Sequence, residues 1–168
     1  MTVVNMRDLP KIREKYKDKK IVFCSGGFDL THVGHILFFE DCKKYGDILV
    51  VAVGTDNSLK KRKGDGRPIL NEHIRIKTID SLKPVDYCFI NKKEFDVNKP
   101  LATIETTFAE LKPNVYVINE DAFDISYRQK LCNDYHVKLV ILPRWFPPEF
   151  DGISTSKIIE KIKQLHND

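Results

Sequence analysis

Long apolar runs are absent from this sequence. No stretch approaches the roughly 20 consecutive apolar residues that a membrane-spanning helix requires, and segment 1–20 lacks the apolar core of a signal peptide. We therefore expect a cytoplasmic protein without a membrane partner. The length of 168 residues suits one α/β domain, 1–168, with an N-terminal helix in segment 1–19 packed on it.

Cysteine is scarce, and its spacing matches no metal or disulfide motif. The four cysteines form no C-x-x-C pair, and most of them lie in strand-like or helix-like apolar patterns. This placement favours buried, reduced thiols over disulfides or zinc ligands. The residues concerned are Cys24, Cys42, Cys88 and Cys132.

A strong excess of one charge sign is also lacking. The formal net charge of +4 favours anionic small molecules but is too small to indicate a nucleic-acid-binding protein. The one dense basic run, at residues 60–63, contains no interleaved aromatic residues on which bases could stack. We therefore expect small-molecule partners and no nucleic acid.

What the chain does contain is a regular alternation of short apolar strands and amphipathic helices. This alternation predicts a three-layer α/β fold whose ligands bind at the carboxyl ends of the strands. Segment 55–71 is predicted to be a long polar connection, which in a compact domain is usually functional or disordered. The predicted strands are 21–24, 47–54, 87–90, 115–118 and 138–142; the predicted helices are 6–17, 33–45, 71–82, 100–111, 126–135 and 154–165.

The most informative stretch follows the first predicted strand and reads S-G-G-F-D-L-T-H-V-G-H at residues 25–35. Gly26 and Gly27 have no β-carbon, so the backbone can approach a phosphate closely. His32 and His35 are three residues apart at the start of a helix, where both rings lie on one face and can hydrogen-bond phosphate oxygens. Asp29 is expected to organise the glycine turn. The alternative is a glycine turn with two surface histidines.

Two further segments carry charge or hydroxyl groups. In K-G-D-G-R-P-I-L-N-E-H-I-R, residues 63–75, Lys63 and Arg75 can stabilise a triphosphate and departing pyrophosphate, although a solvated charged loop is the simpler alternative. In G-I-S-T-S-K-I, residues 152–158, Ser154 is a plausible helix N-cap beside further hydroxyl groups. Arg144 lies in an L-P-R sequence between these two segments.

Together these segments resemble the HxGH nucleotidyltransferase superfamily, in its cytidylyltransferase-like branch. Residues 26–35 match the G-x-F-D-x-x-H-x-G-H pattern of that branch, and I-S-T-S and L-P-R resemble the corresponding motifs of glycerol-3-phosphate cytidylyltransferases. K-G-D-G-R-P resembles the sugar-phosphate nucleotidyltransferases, including heptose-phosphate adenylyltransferases. The chain departs from its relatives in two places: a Trp145–Pro148 insertion follows Arg144, and Asn119-Glu120-Asp121 replaces a glycine-rich motif.

The resemblance implies a Rossmann-like α/β/α fold with a five-stranded parallel sheet and transfer of CMP or AMP from CTP or ATP to a small phosphorylated acceptor. It implies Mg²⁺ as cofactor, without assigning any residue as a metal ligand, and a homodimer. FAD-synthase-like adenylyl transfer and a nucleotide-sensing domain without turnover remain alternatives. The implied catalytic residues are His32, His35, Lys63 and Arg75; the implied nucleotide-binding residues are Gly26, Gly27, Phe28, Asp121, Arg144, Ile153, Ser154, Thr155 and Ser156.

Overall fold

The centre of the molecule is a sheet of five parallel strands. The computed structural model describes residues 3–92, 96, 98–99, 101–150 and 152–165. The sheet has the order β3-β2-β1-β4-β5, so the chain reverses its direction of winding between β1 and β4. In such sheets ligands bind where the winding reverses, at the carboxyl ends of the strands. The strands are β1 (Ile21–Gly26), β2 (Ile48–Gly54), β3 (Tyr87–Asn91), β4 (Val115–Asn119) and β5 (Lys138–Leu142).

Helices cover both faces of the sheet, which confirms the predicted three-layer α/β class. Alternate residues of β1 point to opposite faces, so Phe23 lies in one apolar core and Val22 in the other. The first core includes residues of α1, α5 and α6, and the second includes residues of α2 and α4. The helices are α1 (Leu9–Lys15), α2 (Val33–Lys43), α3 (Asp56–Lys63), α4 (Glu72–Asp80), α5 (Ala102–Leu111), α6 (Ile125–Asp134) and α7 (Thr155–Gln164), with short 3₁₀ helices at Met6–Asp8 and Pro148–Phe150.

Two predictions from composition can be compared with this architecture. In the described ranges, no helix is both long and apolar enough to span a bilayer. The four cysteines are free and buried, as their apolar surroundings in the sequence predicted.

The predicted helix 100–111 begins at a residue outside the described ranges, and α5 is observed from Ala102.

The main error of the sequence prediction is α3, which occupies the first half of the segment predicted to be a polar connection. Thr55 caps this helix, since its Oγ1 accepts a hydrogen bond from the Ser58 backbone N–H at 3.2 Å. Leu59 is buried and anchors the helix on the sheet. A single apolar residue among lysines and arginines gives too weak a periodic signal to predict a helix. As a consequence, the basic run 60–63 lies on the last turn of α3.

The turn between β1 and α2 is held in place by Asp29. Its buried carboxylate accepts hydrogen bonds from the backbone N–H groups of Ile69 at 2.9 Å and Leu70 at 3.0 Å. Its backbone carbonyl accepts a hydrogen bond from Thr155 Oγ1 at 2.7 Å. Asp29 therefore organises the glycine turn, as expected, and also joins it to the loop before α4 and to the start of α7.

Candidate active site

Two adjoining cavities open at the carboxyl ends of the strands. The first has a volume of about 340 Å³ and the second about 370 Å³. They have a common wall, to which α2, α3 and the ends of β4 and β5 contribute. The residues that line both cavities are His35, Phe38, Lys63, Asn119, Asp121 and Arg144.

The two histidines of the H-x-G-H motif lie together at the start of α2. Their ring centroids are 3.9 Å apart with an interplanar angle of 25°, so the rings stack. The backbone N–H of His32 donates to His35 Nδ1 at 3.4 Å. Because this nitrogen accepts a hydrogen bond, the neutral His35 ring carries its proton on Nε2.

Burial keeps both histidines uncharged at neutral pH. Burial is the largest cause, and together with the neighbouring His32, Lys63 and Arg144 side chains it lowers the pKa of His35 to about 3. Burial and the Arg144 guanidinium lower the pKa of His32 in the same direction. In this state each ring can donate one hydrogen bond but carries no positive charge.

The glycine of the H-x-G-H motif is required by packing. A β-carbon on Gly34 would lie 2.7 Å from Cε1 of Phe146 and 3.1 Å from the His32 ring. Phe146 belongs to the Trp145–Pro148 insertion and lines the first cavity together with Trp145. The sequence indicated this insertion as a departure but did not predict that it covers the histidine pair.

Lys63 is the cation that α3 contributes to the wall between the cavities. Partial burial of its amine, followed by the charges of Arg67 and Arg62, lowers its pKa. Arg67 lines the first cavity, and its Nε lies 3.3 Å from Asp29 Oδ2, an ion pair without the alignment of a hydrogen bond. The K-G-D-G-R-P motif thus places two cations beside the histidines.

The predicted contact between Arg75 and pyrophosphate is not what the structure shows. Arg75 has 0% exposure and lines neither cavity. Its guanidinium donates to the carbonyls of Gly27 at 2.6 Å and Leu70 at 2.9 Å and pairs with Asp56 at 2.7 Å. Arg75 therefore supports the glycine turn from beneath. The spacing in the sequence could not distinguish this buried position from a cavity wall.

The paired glycines also leave room for neighbouring side chains. A β-carbon on Gly26 would lie 2.8 Å from Cζ of Phe28, and one on Gly27 would lie 2.7 Å from Cδ2 of Leu59. Packing is therefore a second reason for glycine at both positions, beside the predicted approach of a phosphate. Gly26, Gly27 and Phe28 all line the second cavity, and the Phe28 ring contacts that of His35 edge-on at 5.4 Å.

The remaining predicted residues converge on the first cavity from the ends of β4 and β5 and the start of α7. Asp121 and Arg144 form an ion pair of 2.8 Å. Ser154 Oγ caps α7 by accepting from the Lys157 N–H at 3.3 Å, and the Thr155 hydroxyl is bonded to Asp29. The predicted α7 residues that line this cavity are Ile153, Ser154, Thr155 and Ser156.

The polar residues of the second cavity that the sequence prediction missed include Arg62, Asn91 and Arg128. A signal for Arg128 was available. It lies three and four residues before Leu131 and Cys132, on the buried face of α6, where an arginine is unusual. Arg62 is one of four consecutive basic residues, so the sequence does not single it out. Asn91 lines the cavity because it is the last residue of β3, which the sequence does not indicate.

Within the described ranges, no three His, Cys, Asp or Glu side chains lie close enough together to hold a metal ion. Two carboxylates nevertheless line the first cavity, those of Asp41 and Asp121. Mg²⁺ is commonly held by one or two carboxylates, with phosphates and waters supplying the other ligands. Both carboxylates are ion-paired, Asp41 with Lys44 at 2.6 Å and Asp121 with Arg144 at 2.8 Å, so they would have to exchange these partners to hold a magnesium ion that arrives with a nucleotide.

Comparison with known proteins gives relatives along most of the chain. The "bifunctional protein HldE" of Helicobacter pylori (strain P12) is 37% identical over 161 residues, which is 95% of this chain and 31% of that protein. Its counterpart in Campylobacter jejuni subsp. doylei is 40% identical over 150 residues, or 89% of this chain and 29% of that protein. The chain thus spans less than a third of the length of these two relatives.

Solved structures are similar to this chain in fold. The lipopolysaccharide core biosynthesis protein from Thermoplasma volcanium GSS1 has a TM-score of 0.60 and 31% identity, covering 74% of this chain and 95% of that one. Pantoate-beta-alanine ligase from Francisella tularensis has a TM-score of 0.67 at 17% identity, covering 100% of this chain and 80% of that one. The second likeness shows the fold alone, and it confirms the Rossmann-like architecture.

The parallel sheet and the histidine pair at its switch point are features expected of a nucleotidyltransferase, the class predicted from the motifs. The profile of the cytidylyltransferase-like family matches residues 23–161. The chain belongs to this family, which confirms the resemblance stated from the sequence.

Proposed function

We propose that this protein transfers a nucleoside monophosphate, CMP or AMP, from the corresponding triphosphate to a small phosphorylated acceptor such as a sugar or polyol phosphate. The observation that carries the proposal is the wall shared by the two cavities, because His35 and Lys63 face both. A triphosphate in the first cavity and an acceptor in the second would meet beside these two side chains.

The proposed step requires no general base. An oxygen of the acceptor phosphate, already ionised at neutral pH, forms a bond to the α-phosphorus, while the bond from that phosphorus to the bridging oxygen breaks and pyrophosphate leaves with the electron pair. The protein supplies positioning and charge stabilisation. His32 and His35 donate hydrogen bonds to the α- and β-phosphates, Lys63 and Arg144 stabilise the developing negative charge, and residues 153–156 hold the far end of the triphosphate.

Two observations bear on the substrates. The I-S-T-S and L-P-R motifs favour CTP, whereas K-G-D-G-R-P favours ATP and a sugar phosphate. The likeness to a lipopolysaccharide core biosynthesis protein supports a sugar phosphate as acceptor. Heptose-1-phosphate adenylyl transfer is therefore the second candidate activity. FAD-synthase-like adenylyl transfer to flavin mononucleotide is tested alongside it.

Several finer features belong to the same proposal. Mg²⁺ would be held by Asp41 and Asp121 together with the phosphates, and would neutralise the triphosphate charge.

A cytoplasmic location agrees with four free cysteines. We also propose that residues 1–168 act as one domain and that the protein is a homodimer, which light scattering at several concentrations would test.

The decisive experiment measures pyrophosphate release with each of the four nucleoside triphosphates and Mg²⁺. The acceptor panel holds glycerol 3-phosphate, sugar 1-phosphates including heptose 1-phosphate, phosphocholine, phosphoethanolamine and flavin mononucleotide. We expect release that depends on one triphosphate and one acceptor and that is lost in His35→Ala. Nucleotide binding without release for any acceptor would mean that the site is real and that its acceptor is missing from the panel. A His35→Ala variant that kept full cellular function would favour the nucleotide-sensing alternative, and absence of nucleotide binding would refute both.

A further inference from the structure

The second cavity contains a buried arginine whose charge is not neutralised by the described part of the protein. Arg128 is 6% exposed, and its Nε donates to the Phe123 carbonyl at 2.7 Å while Nη1 donates to the Tyr116 hydroxyl. Both partners are uncharged, and within the described ranges no carboxylate pairs with Arg128. These bonds fix the plane of the guanidinium and leave further N–H donors for another partner. A buried cation of this kind is costly unless an anion pairs with it.

A second guanidinium faces the same space. Much of the Arg62 side chain is exposed, but it lines the second cavity, where burial first and then the charge of Arg128 lower its pKa. Arg62 and Lys63 are consecutive on α3 and therefore point about 100° apart around the helix axis. Lys63 reaches the shared wall, while Arg62 lines only the second cavity. Two guanidiniums thus line the second cavity and not the first.

The cavity also holds a hydrogen-bond acceptor without a donor. Asn91, at the end of β3, is 8% exposed, and its Nδ2 donates to the Thr103 carbonyl at 3.3 Å. Its Oδ1 accepts no hydrogen bond from the described residues. A buried carbonyl oxygen of this kind normally has a donor. A ligand hydroxyl group would supply this donor. A ligand that carries both a phosphate and a hydroxyl group would therefore satisfy the two guanidiniums and Asn91 at once.

We propose that Arg62 and Arg128 bind the phosphate group of the acceptor and that Asn91 accepts a hydrogen bond from one of its hydroxyl groups. This inference rests on the proposed function, because it assigns the acceptor to the second cavity. Planar guanidiniums bind phosphate oxygens through paired N–H donors, so they would orient the attacking oxygen towards His35 and Lys63. The ligand class that fits is a phosphate monoester bearing hydroxyl groups.

The test is a calorimetric titration with glycerol 3-phosphate that requires no turnover. The full-length protein is first saturated with Mg²⁺ and a non-hydrolysable analogue of ATP or CTP, and a parallel titration is made without nucleotide. We expect Arg62→Ala to weaken glycerol 3-phosphate binding about tenfold or more, because it removes charge-assisted hydrogen bonds. Affinity for the nucleotide analogue should change less than twofold.

Lys60→Ala is the matched control. It removes one positive charge from the same helix, but Lys60 pairs with exposed Asp65 and lines neither cavity. We expect it to leave glycerol 3-phosphate binding within twofold of the wild type. Arg128→Lys keeps the charge and loses the planar fork; if this buried substitution prevents folding, Arg62→Ala still decides the question.

1-Propyl phosphate, which has the carbon chain and the phosphate of glycerol 3-phosphate but no hydroxyl group, tests the role of Asn91. We expect it to bind more weakly than glycerol 3-phosphate to the wild type and equally weakly to Asn91→Leu. Equal binding of both ligands to the wild type would overturn this part of the inference.

The outcomes separate the inference from the function on which it rests. If the wild type binds neither phosphate ester with or without nucleotide, or if Arg62→Ala binds like the wild type, the inference is wrong. If Arg62→Ala instead weakens the nucleotide analogue about tenfold, the arginine belongs to the triphosphate and the inference is also wrong. If the wild type does not bind the nucleotide analogue at all, the proposed function is refuted. The titration of glycerol 3-phosphate without nucleotide would still test the two arginines in that case.

Discussion

At the scale of the residue, His35 illustrates how burial determines the chemistry of a side chain. Its ring packs against His32 and Phe28, and burial together with nearby positive charges lowers its pKa to about 3, from 6.5 for an unperturbed histidine. Between these two values only the unfolded chain binds the proton. The free energy of unfolding therefore falls as the pH falls from about 6.5 towards 3, and the full contribution is present above 6.5.

The first prediction follows from this linkage. We expect the wild type to lose about 1–2 kcal/mol of its free energy of unfolding between pH 6.5 and pH 5 through this group, and His35→Gln to lose correspondingly less. Urea unfolding at the two pH values measures the difference. His73→Gln, an exposed substitution on α4, is the control and should follow the wild type. Identical pH dependence of His35→Gln and the wild type would show that His35 is not held neutral by the fold.

A second prediction at this scale concerns Arg75. We expect Arg75→Met to reduce the free energy of unfolding by about 3 kcal/mol, because it leaves the Gly27 and Leu70 carbonyls and Asp56 without their donor. Urea unfolding measures this loss, with exposed Arg7→Met as the control. A variant with wild-type stability and a strongly raised KM for the nucleotide would instead support the direct phosphate contact predicted from the sequence.

At the scale of the element, α3 is held by one apolar side chain in two glycine-lined spaces. A β-carbon on Gly27 would lie 2.7 Å from Leu59, and one on Gly54 would lie 2.8 Å from it. Because Leu59 fixes the helix, it also fixes Arg62 and Lys63 one turn further on. The position of two cavity cations therefore depends on Leu59, a residue outside the motifs at 25–35, 63–75 and 152–158, and on its contacts with Gly27 and Gly54.

The third prediction tests this contact. We expect Gly27→Ala to reduce the free energy of unfolding by about 1–3 kcal/mol, since Leu59 must move, and to reduce kcat by displacing Lys63. In a Leu59→Ala background the same substitution should cost less, because the clash is gone, and a double-mutant cycle measures the difference. Gly66→Ala is the control, since a β-carbon there would meet nothing within 4 Å. Strict additivity in the cycle would rule out the proposed contact.

At the scale of the whole molecule, the first cavity joins segments that are far apart in the sequence. The start of α2, the end of α3, the loop after β5 and the start of α7 all line it, and Asp29 links α7 to the glycine turn. A triphosphate bound there would contact all of these segments at once. Binding should therefore stabilise the fold as a unit.

The fourth prediction is that CTP or ATP with Mg²⁺ raises the melting temperature, with a stabilisation of about 2.7 kcal/mol at a concentration one hundred times Kd. Cytidine and adenosine, which lack phosphates, should give no comparable shift. Hydrogen exchange should show protection in residues 63–70 and 152–158. Protection restricted to α2 would contradict the joint contribution of these segments.

The sequence by itself determined the order of the five strands and of all α-helices in the described ranges except α3, the buried cysteines and the cytidylyltransferase-like family. It could do so because apolar strands, helical periodicity and the residues 25–35 motif are local patterns in the chain. The sequence did not predict the helix at Asp56–Lys63, because Leu59 anchors it through contacts with Gly27 and Gly54 that form only in the folded protein.

Only the tertiary structure decided which charges face the cavities. Arg75 and Arg128 are both arginines on short helices, yet the first is enclosed beneath the glycine turn and the second lines the second cavity. Their neighbours in the sequence do not distinguish them, because the burial of each arginine depends on a more distant partner. Arg75 donates to Gly27, 48 residues away, and Arg128 donates to Tyr116, 12 residues away. Such contacts exist only once the sheet has brought these segments together.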